Sequence, residues 1–208
     1  MRKAPQGGVL LFRLRKRRPT LYQNVLADAG LYELLLRFDE DLTRSTQAAG
    51  CGWCGGRLDR ADYPRKPRGL PQDLLVAHTQ RLSLCCAAEG CRRRATPPSV
   101  RFLGRRVYVG AAMVAITALG AGARRAEVRQ LRVWLGLSAR TLARWRRWWR
   151  AVFAESPFWR SARGQLRTPV PVRALPGGLL QRFAGDLKDR LIAGLRFLSP
   201  ITTSAAAM

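Results

Sequence analysis

Acidic residues are scarce in this chain: 13 Asp and Glu stand against 38 Lys and Arg in 208 residues, a formal net charge of +25. Chemistry that needs converging carboxylates has few residues to draw on. Lysine is nearly missing too, with four residues against 34 arginines, and His78 is the single histidine. Long apolar runs are also lacking. The basic N terminus has no apolar stretch of roughly 7–15 residues before a small-residue cleavage site, so a secretory signal is not expected. The uncharged segment Val107 to Ala123 spans 17 residues rich in Gly and Ala. A membrane span needs roughly 20 strongly apolar residues. A buried core helix is expected there, no membrane partner, and a cytoplasmic, nucleoid-associated location.

What is present is enough for folded cores, since 47% of residues are apolar. The length allows one or two domains at roughly 100–200 residues each. So positive a surface attracts polyanions. Arginine suits bidentate phosphate and guanine contacts, although a GC-rich genome produces the same excess through codon usage.

Residues 1–18 form a basic arm that includes Arg17 and Arg18. Residues 19–49 form a helical segment whose apolar pattern runs to Phe38, breaking near Gly30, and is followed by Asp39-Glu40-Asp41, three acids expected at a solvated helix end. Residues 50–106 change character, with short alternating runs and all five cysteines. Residues 107–156 carry three helical patterns, Val109 to Leu119, Ala126 to Leu135 and Ala139 to about Phe153. Residues 157–208 read as a loop-like linker and one amphipathic helix through Leu179, Leu187, Leu191, Leu195 and Leu198. That helix is equally suited to a homodimer face, a partner surface or the core.

Cys51-Gly52-Trp53-Cys54-Gly55-Gly56 lets two sulfurs point at one ion from a tight turn, and the glycines let the backbone fold beneath it. Arg57 to Tyr63 reads as a strand leaving this knuckle, and Arg81 to Cys86 as a strand delivering a second one, closed by Cys91. Two knuckles joined by strand, loop and strand make a zinc ribbon. Its expected ligands are Cys51, Cys54, Cys91 and one of Cys85 or Cys86, with Cys86 preferred because it sits nearer the turn. A closed site of four cysteines is structural. A redox pair and free buried cysteines are the alternatives, and His78, on an apparent helix Gln72–Gln80, is expected at the surface.

The segment Val128 to Trp149 has helix-turn-helix spacing. Leu131 and Leu135 line the inner face of a first helix, Gly136 ends it in a left-handed conformation, and Ser138 caps the second. Leu137 and Leu142 are placed as a hydrophobic staple. Leu142, Trp145, Trp149 and Phe153 form one buried stripe. Arg140, Thr141, Arg144 and Arg147 are expected to face away from it, with Arg146 and Arg150 on its flanks. A recognition helix offers such residues to base edges and phosphates. Arg124 and Arg125, with Arg17 and Arg18, are candidate phosphate contacts. An arginine-covered hairpin with solvated charges is the plain alternative.

Ribbon, basic link and three-helix unit in this order resemble the N-terminal portion of a group of bacterial insertion-sequence transposases. The closest part is RLSLCCAAEGCRRRATPPSVRFLGRRVYVGAAMVAITAL, Arg81 to Leu119. The resemblance implies a zinc ribbon and helix-turn-helix that bind double-stranded DNA. In that family a DDE catalytic domain of ribonuclease-H type follows. Here only 55 residues follow Phe153, and their acids are Glu155, Asp186 and Asp189. Three carboxylates around two metal ions need more chain, so catalysis is not carried over. The expected protein is mainly α with a small β zinc ribbon (α+β), a three-helix helix-turn-helix unit, structural Zn²⁺ and duplex DNA as partner. An RNA-binding or ribosome-associated ribbon and a truncated transposase or nuclease are the alternatives.

Overall fold

The computed structural model describes residues 18–65, 69, 76–103, 109–119 and 125–203. The expected arm lies outside these residues apart from Arg18, as do Arg17 and Arg124. The described chain is mostly helical with small antiparallel sheets.

Helix α1 (Leu21–Ala27) starts at a reciprocal cap. The Thr20 hydroxyl accepts from the Gln23 amide, and the Gln23 side chain accepts from the Thr20 amide. Asp28 then interrupts the helix, and its carboxylate caps α2 (Ala29–Ala49) by accepting from Gly30 N. The break expected near Gly30 therefore sits at Asp28. Helix α2 also runs through Asp39-Glu40-Asp41 instead of ending before them.

Strands β1 (Leu58–Arg60), β4 (Leu84–Cys86) and β5 (Arg94–Ala95) form an antiparallel sheet with β4 in the centre. Leu58 lies opposite Cys86, and Cys85 opposite Arg94. Strands β2 (Tyr63–Pro64) and β3 (Gln80–Arg81) pair separately. Of the helix expected over Gln72–Gln80, residues 72–75 lie outside the described residues, and the rest is a short 3₁₀ turn at Val76–Thr79 that leads straight into β3. His78 on this turn is buried, against expectation, with its ring 6.0 Å from that of Tyr32.

Helix α3 (Gly110–Ala118) is apolar apart from Thr117 and buried from Gly110 to Thr117, as a helix hydrophobic all round must be. It packs against α1 and against helices from later in the chain: α4 (Arg125–Trp134), α5 (Ala139–Arg147), α7 (Gly177–Leu180) and α8 (Leu187–Leu198). One hydrophobic cluster runs from Leu26 to Ile201. The three central helices thus share their core with both ends of the chain. Residues after Pro157, expected as loop, include helix α6 (Pro157–Ala162), which Ser156 caps at the Trp159 amide and which buries Trp159. The amphipathic stretch 179–198 is two helices, split at Gly185 (φ 91°) and restarted by the Asp186 cap of α8.

A buried polar knot joins ribbon and helices. Asp39 of α2 is fully buried, with Oδ2 accepting from Arg101 Nε at 2.8 Å and Ser99 Oγ at 2.6 Å, and Oδ1 from Val100 N at 2.6 Å. Arg101 also donates to Gln80 O, and Ser99 N donates to Thr202 Oγ1. Asp39 is therefore no solvated helix end. It holds α2, the segment leaving the ribbon and the C-terminal turn together, and a buried charge demands such full pairing.

Candidate metal centre and nucleic-acid interface

The sheet register brings four cysteines to one point. The Sγ atoms of Cys51, Cys54, Cys86 and Cys91 all lie within 4.8 Å of one another. Cys51 and Cys91 are 3.8 Å apart, and Cys54 and Cys86 are 3.4 Å apart. A tetrahedral ion with metal–sulfur bonds of about 2.3 Å needs edges of about 3.8 Å. The four thiols fit such an ion.

The turns supply what thiolates need. Cys51 N bonds to Gly56 O, and Gly55 N to Cys51 O, which closes the first knuckle. Gly55 has a left-handed φ of 71°, open to glycine at no steric cost. The amides of Cys54 and Trp53 point at the Cys51 sulfur and bring its pKa down to about 6. In the second knuckle the Ala88 amide favours the Cys86 thiolate, but burial and the neighbouring thiols of Cys54, Cys91 and Cys51 outweigh it and push the pKa up to about 12. Four thiols this close cannot all ionise unless a cation offsets their charge. Cys85 points elsewhere, its Sγ 3.4 Å from Arg92 O. The preferred Cys86 is the cysteine brought into the cluster.

The second candidate region begins at α4. Leu131 and Leu135 are buried, and Gly136 turns the chain with a φ of 61°. Arg132 reaches across the turn and donates to Leu137 O at 2.7 Å, tying the loop between the two helices to α4. Ser138 Oγ accepts from Thr141 N and caps α5. Beyond Arg147 the helix continues as a π-helical stretch, Trp148–Phe153.

Leu142, Trp145, Trp149 and Phe153 are buried as expected. Trp149 Nε1 donates to Thr117 Oγ1 of α3 at 2.9 Å, fixing the rotation of the helix about its axis. Arg140, Arg144, Arg147 and Arg150 are consequently exposed, and Arg146 is half-buried. Trp148 is half-buried against Trp149 and Phe153. Thr141 is a correction. Expected on the open face, it is 3% exposed, because its hydroxyl turns inward to Ser138 Oγ at 3.0 Å. It is a capping residue and is not available to a base.

Arg125 at the start of α4 is exposed, as is Arg18. Gln130 of α4 donates to Arg18 O and to the Gln23 side chain, which holds Arg18 beside α4. The sequence reading missed Gln130, whose partners are more than 100 residues away and leave no local signal.

No protein-family model matches this chain, and neither a characterised protein nor a solved structure is detectably similar to it. Among the described residues, no helix is long and apolar enough to cross a membrane.

Proposed function

We propose that this is a non-catalytic, transposase-related DNA-binding protein in which α4, the Gly136 turn and α5 act as a helix-turn-helix. A structural Zn²⁺ held by Cys51, Cys54, Cys86 and Cys91 braces the ribbon against the helices. Zinc is the natural ion for four thiolates at tetrahedral spacing, and it supplies folding energy there, not chemistry.

The arginine side of α5 carries the reading. Arg140, Arg144 and Arg147 fall at helical spacing on one exposed face, while Trp145 and Trp149 hold the opposite face in the core. A helix held this way presents its N-terminal arginines for the major groove, where a guanidinium forks onto guanine O6 and N7. Arg150, Arg124 and Arg125, with Arg17 and Arg18 of the arm, would meet phosphates. The C-terminal acids have a structural task that favours a non-catalytic reading: Asp186 and Asp189 cap α8 reciprocally.

The test is binding by the zinc-loaded chain to a panel of labelled duplexes. Arg140→Ala and Arg144→Ala each relax sequence preference, by about 1–3 kcal/mol at the base contacted. Arg17→Ala weakens every duplex about equally and lowers the salt slope by about one. Equal losses on every duplex in all three variants would remove α5 from base readout. Preferential competition by hairpin RNA would replace duplex DNA as the partner.

A further inference from the structure

The ribbon carries a feature that a purely structural metal site does not need. Trp53, between the first two cysteines, is 71% exposed, the most exposed of the large apolar side chains in the described residues. The Arg93 guanidinium from the far side of the second knuckle lies over its ring, 3.6 Å from the centroid. One face of the indole is thus covered by a cation and the rest stands in water.

Arg92 sits beside this pair and is exposed, with a left-handed φ of 46°. The equivalent position in the first knuckle, directly after its second cysteine, is Gly55. A side chain with a Cβ carries a steric cost in that conformation which glycine escapes. Arg57, also exposed, lies at the start of the same sheet and is bonded through its carbonyl to Ala87 N of the second knuckle. Asp59, paired to Arg57 at 3.3 Å, and the exposed Glu89 are the acids nearby in sequence. Arginines beside the cluster offset the charge of four thiolates, but that role gives no reason for an indole in water.

We propose that the metal knuckles form a second nucleic-acid contact, separate from α5, in which Trp53 backed by Arg93 stacks an unpaired base. Arg92 and Arg57 would neutralise the flanking phosphates. Aromatic faces accept any base, and cationic neighbours follow the backbone, so the ligand class is single-stranded nucleic acid without strong sequence preference. A duplex keeps its bases stacked inside and gives Trp53 nothing to stack on.

The experiment compares fluorescein-labelled oligothymidylate with a hairpin-closed duplex, using the zinc-loaded full chain. Trp53→Ala weakens the oligothymidylate by about tenfold and leaves the duplex within about twofold, while Trp53→Phe retains most of the binding. Arg92→Gly lowers the single-strand salt slope by about 0.7 and raises the melting temperature, since glycine relieves the left-handed backbone. Melting temperature and bound metal are measured for each variant, so that damage to the ribbon is separated from loss of the contact. Undetectable oligothymidylate binding by the wild type, no loss in Trp53→Ala, or an equal loss on the duplex would overturn the proposal. Unaltered duplex binding in Arg140→Ala would overturn the role of α5 and leave this one standing.

Discussion

The helical body closes its core with Tyr32, Trp145, Trp149, Phe153 and Trp159, all almost wholly buried. The ribbon's own cluster consists of Leu58, Leu84, Cys51 and Cys86, with Cys91 and Ala95 packed beside it. The first region has the apolar area to fold through hydrophobic burial alone. The second has two leucines and strands of two or three residues, far below what an isolated sheet needs. On the proposed metal site the two regions draw stability from different sources, the ion held by the cysteines doing for the ribbon what the tryptophans do for the helices.

Metal removal tests that contrast most severely. Structural zinc sites contribute about 10–16 kcal/mol of apparent binding energy in small domains. Chelation, or Cys91→Ser, should free the amides of β1, β4 and β5 to exchange with solvent while those of α3 and α8 stay protected. Hydrogen exchange followed region by region reads this directly. Loss of protection in α3 and α8 together with the strands would show one cooperative unit and end the distinction. Cys85→Ser should behave as wild type, since its sulfur lies outside the cluster.

The joint between the regions is the next largest effect. Asp39→Ala removes the acceptor of Arg101, Ser99 and Val100 at once. Breaking one side of a buried ion pair costs about 3–5 kcal/mol, so the variant should lose that much stability in urea unfolding with its metal content unchanged. A loss below about 1 kcal/mol would show that solvent or a neighbour replaces the carboxylate, and that the knot does not bind ribbon to body.

How much of this was legible in the sequence followed from the range of the interactions. The knuckles, the Gly136 turn, the Ser138 cap and the Trp145 stripe depend on neighbours within a few residues, and their spacing is written in the chain. The choice of Cys86 over Cys85 was legible for the same reason, because Cys86 sits nearer the turn. Asp39 and His78 were misread because their partners are remote: Arg101 lies 62 residues beyond Asp39, and Tyr32 lies across the joint from His78. Thr141 was misread by treating a helix face as purely apolar or purely open, whereas a hydroxyl one turn after a cap can fold back onto it. The sharing of one core by α3 and α8 has no signal in local periodicity, because an amphipathic helix records that it needs a partner and not which partner.

The smallest expected effect separates the two regions by pH. His78 lies on the 3₁₀ turn before β3, where that turn packs against α2, and is buried with Nδ1 lacking a hydrogen-bond partner. Burial comes first and the positive Arg101 second in lowering its pKa below the usual 6.5, with Glu33 opposing them weakly. The folded imidazole is thus harder to protonate than the unfolded one. Stability from this group is fully present above pH 6.5 and is lost as pH falls from there toward the depressed folded value, because the unfolded chain takes up the proton first. His78→Phe removes the titration while keeping a ring against Tyr32, and should flatten the stability profile over that interval in urea melts at stepped pH. An ion held by thiolates is released as pH falls, so the comparison is between wild type and variant at equal metal occupancy. Parallel profiles would assign the acid sensitivity to the cysteines alone. A profile flattened only in the variant would place part of it at the joint, where the helical body holds the ribbon.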